Sequence, residues 1–246
     1  MTTERRRLDR PAFYALASGG WRDLVTLLHP PYTAWHLSYV VIGAAAAPTF
    51  HANRLVAALA AFFLAVGVSA HALDELNGRP LGTHLRRRTL VALAVVGLAG
   101  AVVIGVAGAI VISPWLAPPV VLGAVLVPAY NLEVGGGRFH TDLWFAIAWG
   151  GFPAFTGYFA QTLTIRPAGV LVAAACCLLS AAQRRLSTPV RELRRRTTLV
   201  TGEQRLADGS TVELTKAHLA EPLEGALSSL WIAVVLLAAG LVAVKL

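Results

Sequence analysis

Charge is scarce in this chain. Asp, Glu, Lys and Arg make up 14% of its 246 residues, against about 25% in an average soluble domain. Acid is scarcer than base, 13 residues against 21. Between Asp23 and Glu133 the only carboxylates are Asp74 and Glu75. Cysteine is limited to the adjacent pair Cys176 and Cys177 inside an apolar run. That spacing fits neither a disulfide framework nor a metal-binding motif. No early apolar stretch follows Glu4-Arg5-Arg6-Arg7, so no cleaved signal peptide is expected and the first span must direct insertion. What is plentiful is apolar: 56% of residues are hydrophobic and the mean hydropathy is +0.63. These features predict an all-α, polytopic membrane helix bundle. The net charge of +8 then belongs to loops that set orientation and touch anionic lipid, and not to a nucleic-acid interface.

Residues 1–10 are polar and basic. Pro11–Leu28 reads as an interfacial helix, with Phe13, Leu16, Leu24, Leu27 and Leu28 largely on one face and Trp21 at headgroup level. A plain cytosolic leader helix is the alternative. His29-Pro30-Pro31 ends it. Seven apolar runs follow, at 32–50, 55–73, 90–112, 115–132, 143–165, 168–183 and 226–244. Leu90–Leu132 is uncharged for 43 residues, about 64 Å as one helix, so Ser113-Pro114 must divide it. With the N-terminus in the cytosol, 18 of the 21 Lys and Arg fall on inner segments. That bias places the C-terminus outside the plasma membrane after seven spans. The expected divisions are a leader at 1–31, a six-span bundle at 32–183, a cytosolic basic loop at 184–225 and a seventh span at 226–246. Within the loop, Asp208-Gly209 between β-prone runs signals a small hairpin, a flexible loop being the alternative. The loop is also the place for a partner protein.

Two stretches echo each other. Leu85-Arg86-Arg87-Arg88-Thr89 and Leu193-Arg194-Arg195-Arg196-Thr197 each follow an apolar run. They predict that the second and sixth spans are mates across a central cavity. Asp74 and Glu75, at the mouth of the second span, suit a single Mg²⁺, which takes carboxylate oxygens together with phosphate and water. Arg79, Arg86, Arg191, Arg194 and Arg195 suit the phosphate itself, because a guanidinium fork grips two oxygens. His71, three residues before Asp74, shares its helix face, and Tyr130 and Asn131 close the fourth span on the same side. Local pairing of the two carboxylates with the loop arginines is the competing reading. The dense histidine clusters of membrane metal oxidases are not apparent in the sequence.

The pattern resembles the UbiA superfamily of intramembrane prenyltransferases over most of residues 25–200. The motifs are His29-Pro30-Pro31 before the first span, the acidic end of the second span with Arg79-Pro80-Leu81 after it, and Tyr130 with a basic residue downstream. Gly150-Gly151-Phe152-Pro153 in the fifth span and Arg194–Gly202 after the sixth are also similar to that family. Departures are visible too. Ala70 stands where the first motif has Asn, and Gln183, Arg184, Ser187 and Thr188 occupy the region of the second acidic motif. The resemblance implies a UbiA-like bundle that moves an isoprenoid chain from a polyprenyl diphosphate to a hydrophobic, lipid-soluble acceptor. Asp74 and Glu75 would be its catalytic and Mg²⁺-binding residues, and the arginines its diphosphate clamp. A non-catalytic membrane protein of the same fold, binding lipid or a partner, is the second expectation.

Overall fold

The computed structural model describes residues 10–246; the first nine residues of the expected leader lie outside them. The chain is mostly helical, at 71%. Residues 10–20 form turns and α1 covers only Trp21–Leu27, so the expected interfacial helix is cut short. Gly19 and Gly20 both hold positive φ, and Asp23 accepts the Gly19 N–H at 3.0 Å, which fixes the turn that starts the helix.

Seven longer helices follow. α2 is Pro30–Ala45, opened by prolines at its first positions, where no N–H is missed. α3 is Ala52–Leu76 and widens to a π-helix over Phe63–Ala70. α4 is Arg87–Val111. Ser113 then accepts the Trp115 N–H, capping the 3₁₀ turn Pro114–Leu116 that leads into α5, Ala117–Asn131. α6 runs over 142–162, as Asp142–Ala146, a π-helical turn at Ile147–Gly151, and Phe152–Thr162. α7 is Pro167–Arg195, and α8 is Lys216–Ala243. Between α7 and α8, β1 (Glu203–Arg205) pairs antiparallel with β2 (Thr211–Glu213), Gln204 facing Val212. This is the hairpin signalled by Asp208-Gly209.

α2 to α8 run alternately between two ends. At one end His51 N–H donates to Gln161 Oε1 at 2.6 Å, Arg54 donates to the Ala160 and Gln161 carbonyls, and Lys245 Nζ donates to the Ala47 carbonyl at 2.9 Å. The other end holds the polar cavity described below. α2 is the central rod, packed on α6 and α8. It can lie backbone to backbone with α6 because a Cβ at Gly43 would run into the Ala154 carbonyl, and one at Gly157 into the Val40 carbonyl. Trp35 and Tyr39, both fully buried, fill the space towards α7 and α8.

Four helices, α3, α4, α7 and α8, are long and apolar enough to cross a membrane. Their outward surfaces are the decisive feature. In the most apolar window of α4 only 22% of residues are buried, and Val96, Val103, Ile110 and Val111 are exposed. A helix apolar on all sides yet bare on one needs an apolar medium there.

The sixth apolar run, expected to end at Gln183, continues as helix to Arg195. The loop expected at 184–225 is therefore shorter, since α8 already starts at Lys216. The polar continuation of α7 is sheltered by the N-terminal segment: Arg194 and Arg195 donate to the carbonyls of Arg10 and Pro11 at 3.2 and 3.1 Å. The repeated Leu-Arg-Arg-Arg-Thr stretches adopt different roles. The first leads from an exposed loop into α4, the second ends α7.

Candidate functional site: a chamber with an arginine wall

A cavity of about 460 Å³ opens at the polar end of the bundle. Residues 11–14 roof it. α2 contributes Tyr32 and His36, with His29 at its N-cap. α3 contributes His71 and Asp74, α5 contributes Tyr130 and Asn131, and α6 contributes Phe145 and Trp149. α7 supplies Gln183, Arg184, Ser187, Arg191 and Arg195. The α7 residues recur at helical spacing, so one stripe of that helix faces inward. Tyr130 and Trp149 meet edge to face, with ring centroids 5.5 Å apart.

Of the residues expected from sequence, the structure gathers Asp74, His71, Tyr130, Asn131, Arg191 and Arg195 on the cavity wall. Four others stand elsewhere. Glu75 is 1% exposed and its carboxylate turns into the loop that follows. Its Oε2 accepts the Leu81 N–H at 3.0 Å, and its Oε1 accepts the Thr83 N–H and hydroxyl, each at 2.8 Å. Arg79 donates to the Thr83 and Leu85 carbonyls at 2.8 and 3.0 Å, so it braces the same loop. Arg86 is the exposed N-cap of α4. Arg194 is buried in a bidentate pair with Glu224 of α8.

This arrangement separates the two carboxylates expected to share a Mg²⁺. Glu75 Oε1 accepts two hydrogen bonds and Oε2 one, all from the loop that follows, so this carboxylate faces the loop and not the chamber that Asp74 lines. Among the described residues no three His, Cys, Asp or Glu side chains are placed to hold a metal ion. The donor set does not fit a Mg²⁺ held jointly by Asp74 and Glu75.

Asp74 and the arginines are placed differently. The ionisable groups nearest Asp74 in their electrostatic effect are, in order, Arg195, Arg191, His140 and Glu75. Among the described residues its carboxylate has neither a hydrogen bond nor an ion pair, and neither Arg191 nor Arg195 has a carboxylate within ion-pair distance. Arg184 is paired with the exposed Asp142 at 2.9 Å and lies over the Phe145 ring. Three guanidinium groups on one helix face repel each other, which favours an anion between them. Three buried polar atoms on the wall also lack a protein partner: His29 Nε2, Tyr130 Oη and Gln183 Oε1.

Sequence reasoning missed how many histidines converge here. His29, His36, His71 and His140 all line the cavity. Of these, the sequence singles out only His71 as a site candidate, from its spacing to Asp74. The signal is the shared membrane end: each of the four lies within about two turns of a helix terminus or loop on the cytosolic side of the expected topology. His29 sits in the left-handed region at φ 47° and stacks on His71 with ring centroids 4.1 Å apart. Its Nδ1 is 2.6 Å from the Tyr14 hydroxyl. Burial, followed by the neighbouring His71, holds His29 well below its usual value, so the ring is neutral. Burial likewise raises Tyr14 well above the phenol range, so its hydroxyl keeps its proton.

A second cavity adjoins the first. It is an apolar groove of about 140 Å³ between α3, α4, α5 and α6. Alanines and glycines make the space, among them Ala61, Ala65, Ala101 and Gly105, while Phe62, Leu98 and Phe152 form the sides. Val66 and Trp149 belong to both cavities. Arg54 lines the far end, and along α3 Arg54 to Val66 is about 18 Å at 1.5 Å per residue. Comparison with protein-family models, with characterised proteins and with solved structures found no match.

Proposed function

We propose that this chain is a divergent UbiA-like prenyltransferase of the plasma membrane. It would bind a polyprenyl diphosphate with its head in the chamber and its chain in the groove, and pass the chain to a lipid-soluble acceptor. The observation that carries this reading is the meeting of a cationic chamber and an apolar groove at Val66 and Trp149. A ligand that fills both has an anionic head and a long apolar chain. In this reading all seven helices α2–α8 span the bilayer, with the chamber at the cytosolic face and the C-terminus outside.

The chemistry follows from charge. A diphosphate ester carries about two to three negative charges, which must be met at the membrane edge. Arg184, Arg191 and Arg195 bring positive charge on fixed forks, where Arg is better suited than Lys. As the bond from the allylic carbon to oxygen breaks, negative charge grows on the leaving diphosphate and the arginines hold it more strongly. Positive charge grows on carbon, next to the electron-rich faces of Trp149 and Tyr130.

The test is equilibrium binding of geranylgeranyl diphosphate to the detergent-solubilised protein, followed by diphosphate release. Arg191→Ala together with Arg195→Ala should weaken binding at least ten-fold and abolish release. Native protein that binds no prenyl diphosphate overturns the reading. Binding without release for any acceptor points to the second reading, a lipid-binding protein of the same fold. That reading is favoured by the structural use of Glu75, Arg79 and Arg194, which takes three of the residues expected at the site out of the chamber.

A further inference from the structure

The chamber has two unlike walls. α7 presents guanidinium groups. The opposite wall, from α2, α3 and the turn after α5, presents acceptors, and its tautomers are fixed by the backbone. A carbonyl oxygen only accepts, so a ring nitrogen bonded to one must carry the hydrogen. His71 Nδ1 lies 3.1 Å from the Gly67 carbonyl, His36 Nδ1 lies 2.8 Å from that of Trp149, and His140 Nδ1 lies 3.1 Å from that of Tyr130. When such a ring carries a single proton, its Nε2 is therefore a bare lone pair. The Gly67 carbonyl is open to His71 because the π-helix displaces the backbone pairing there: the His71 N–H goes to Val68 instead. π-helical segments inside α-helices gather at functional sites.

We infer that this acceptor wall receives a nucleophile that carries a proton, a hydroxyl or an amine, and that His71 Nε2 takes that proton during transfer. The inference rests on the prenyl-diphosphate reading and specifies its second substrate. His71 is the acceptor best placed of the three. It shares a helix face with Asp74, whose unpaired carboxylate offsets the charge of the imidazolium as it forms. The neutral ring of His29 covers its other face, so no second charge competes. The balance is simple. The X–H bond of the nucleophile breaks and its electron pair forms the new X–C bond. The C–O bond of the prenyl diphosphate breaks and its pair leaves on the diphosphate. The proton passes to His71, and no redox partner enters.

The surroundings of His71 set the pH response. His29 and, behind it, Tyr14 come from the entry segment, Tyr32 and His36 from α2, Asp74 from α3, Tyr130 from α5, Glu133 and His140 from the turn after α5, and Arg184, Arg191, Glu192 and Arg195 from α7. In the whole protein in detergent, geranylgeranyl diphosphate would be supplied with octylphenol, octanol, octylamine or octylanisole over a range of pH. Diphosphate binding and prenyl adduct are measured separately. The expected result is an adduct with at least one proton-bearing probe, none with octylanisole, and a rate that rises with pH through one titration. His71→Gln should retain diphosphate binding, lose about 100-fold or more in rate, and show a flat pH profile. Asp74→Asn, at a site without internal bonds, should move the acid limb to lower pH because the imidazolium loses its neighbouring carboxylate. Diphosphate binding with no adduct from any probe, an equal rate with octylanisole, a wild-type rate in His71→Gln, or an unmoved limb in Asp74→Asn each overturns the inference. Failure of the native protein to bind geranylgeranyl diphosphate overturns instead the reading beneath it.

Discussion

His36 donates from Nδ1 to the carbonyl oxygen of Trp149 across 2.8 Å, joining positions 113 residues apart. The donor that an α-helix would offer that carbonyl is the N–H of residue 153, which is proline and has none. The buried carbonyl needs another partner, and the imidazole supplies it. One bond thereby satisfies the wide turn of α6, holds α2 against it, and leaves His36 Nε2 to the chamber.

The two neighbouring carboxylates should behave in opposite ways. Glu75→Ala strips acceptors from two buried N–H groups and a hydroxyl, at about 1–3 kcal/mol for each group left unsatisfied. A clear drop in melting temperature is expected in detergent. Asp74→Ala removes no hydrogen bond of the described residues and should melt within about 2 °C of the native protein, corresponding to about 0.5 kcal/mol. Similar melting for both variants would contradict the separation of the pair.

Arg194 and Glu224 clamp α7 to α8, with their side chains 3% and 13% exposed. Arg194→Ala strands Glu224 and should cost about 3–5 kcal/mol. The double change Arg194→Met with Glu224→Leu should recover much of that, since a buried ion pair is often replaceable by apolar packing. Thermal melting of the single and double variants decides it.

His29 gives the protein an acid-sensitive point. Its folded value lies below the usual 6.5, so below pH 6.5 the unfolded chain binds a proton that the folded chain refuses. Stability from this residue is complete above about pH 6.5 and falls as pH drops towards the folded value. His29→Gln should flatten this acid decline in melting temperature. An unchanged slope would remove His29 as its source.

Orientation can be read by labelling from outside intact cells, in a background with Cys176 and Cys177 replaced by Ala. Asn53→Cys should react with an impermeant thiol reagent and Ser210→Cys should not. The reverse pattern would invert the proposed topology.

Hydropathy makes most of the helices legible, because the apolar runs predict helices within a few residues of most observed ends, although α8 starts at Lys216, ten residues before its apolar run. It failed on α7 beyond Gln183, where the helix is polar on the chamber side and apolar averages fall. It also failed on Pro11–Leu28, where two glycines interrupt a face that looked continuous. For the site, His71, Asp74 and Tyr130 were legible from their positions at span ends. Arg191 and Arg195 were legible only as members of a basic cluster: no local rule distinguishes them from Arg194, whose neighbour on α8 lies 30 residues away. The fate of Glu75 depends on how the chain folds back at Leu81 and Thr83, a tertiary fact that residue types do not carry.

The roof of the chamber has a consequence for divergence. Arg194 and Arg195 grip the carbonyls of Arg10 and Pro11, oxygens that every amino acid possesses. That contact depends on where the chain passes and not on which side chains it bears there. Substitutions at these two positions preserve both bonds, whereas a one-residue deletion between them and α1 displaces both. At positions 10 and 11 the roof is therefore held by the length of the chain more than by its side chains.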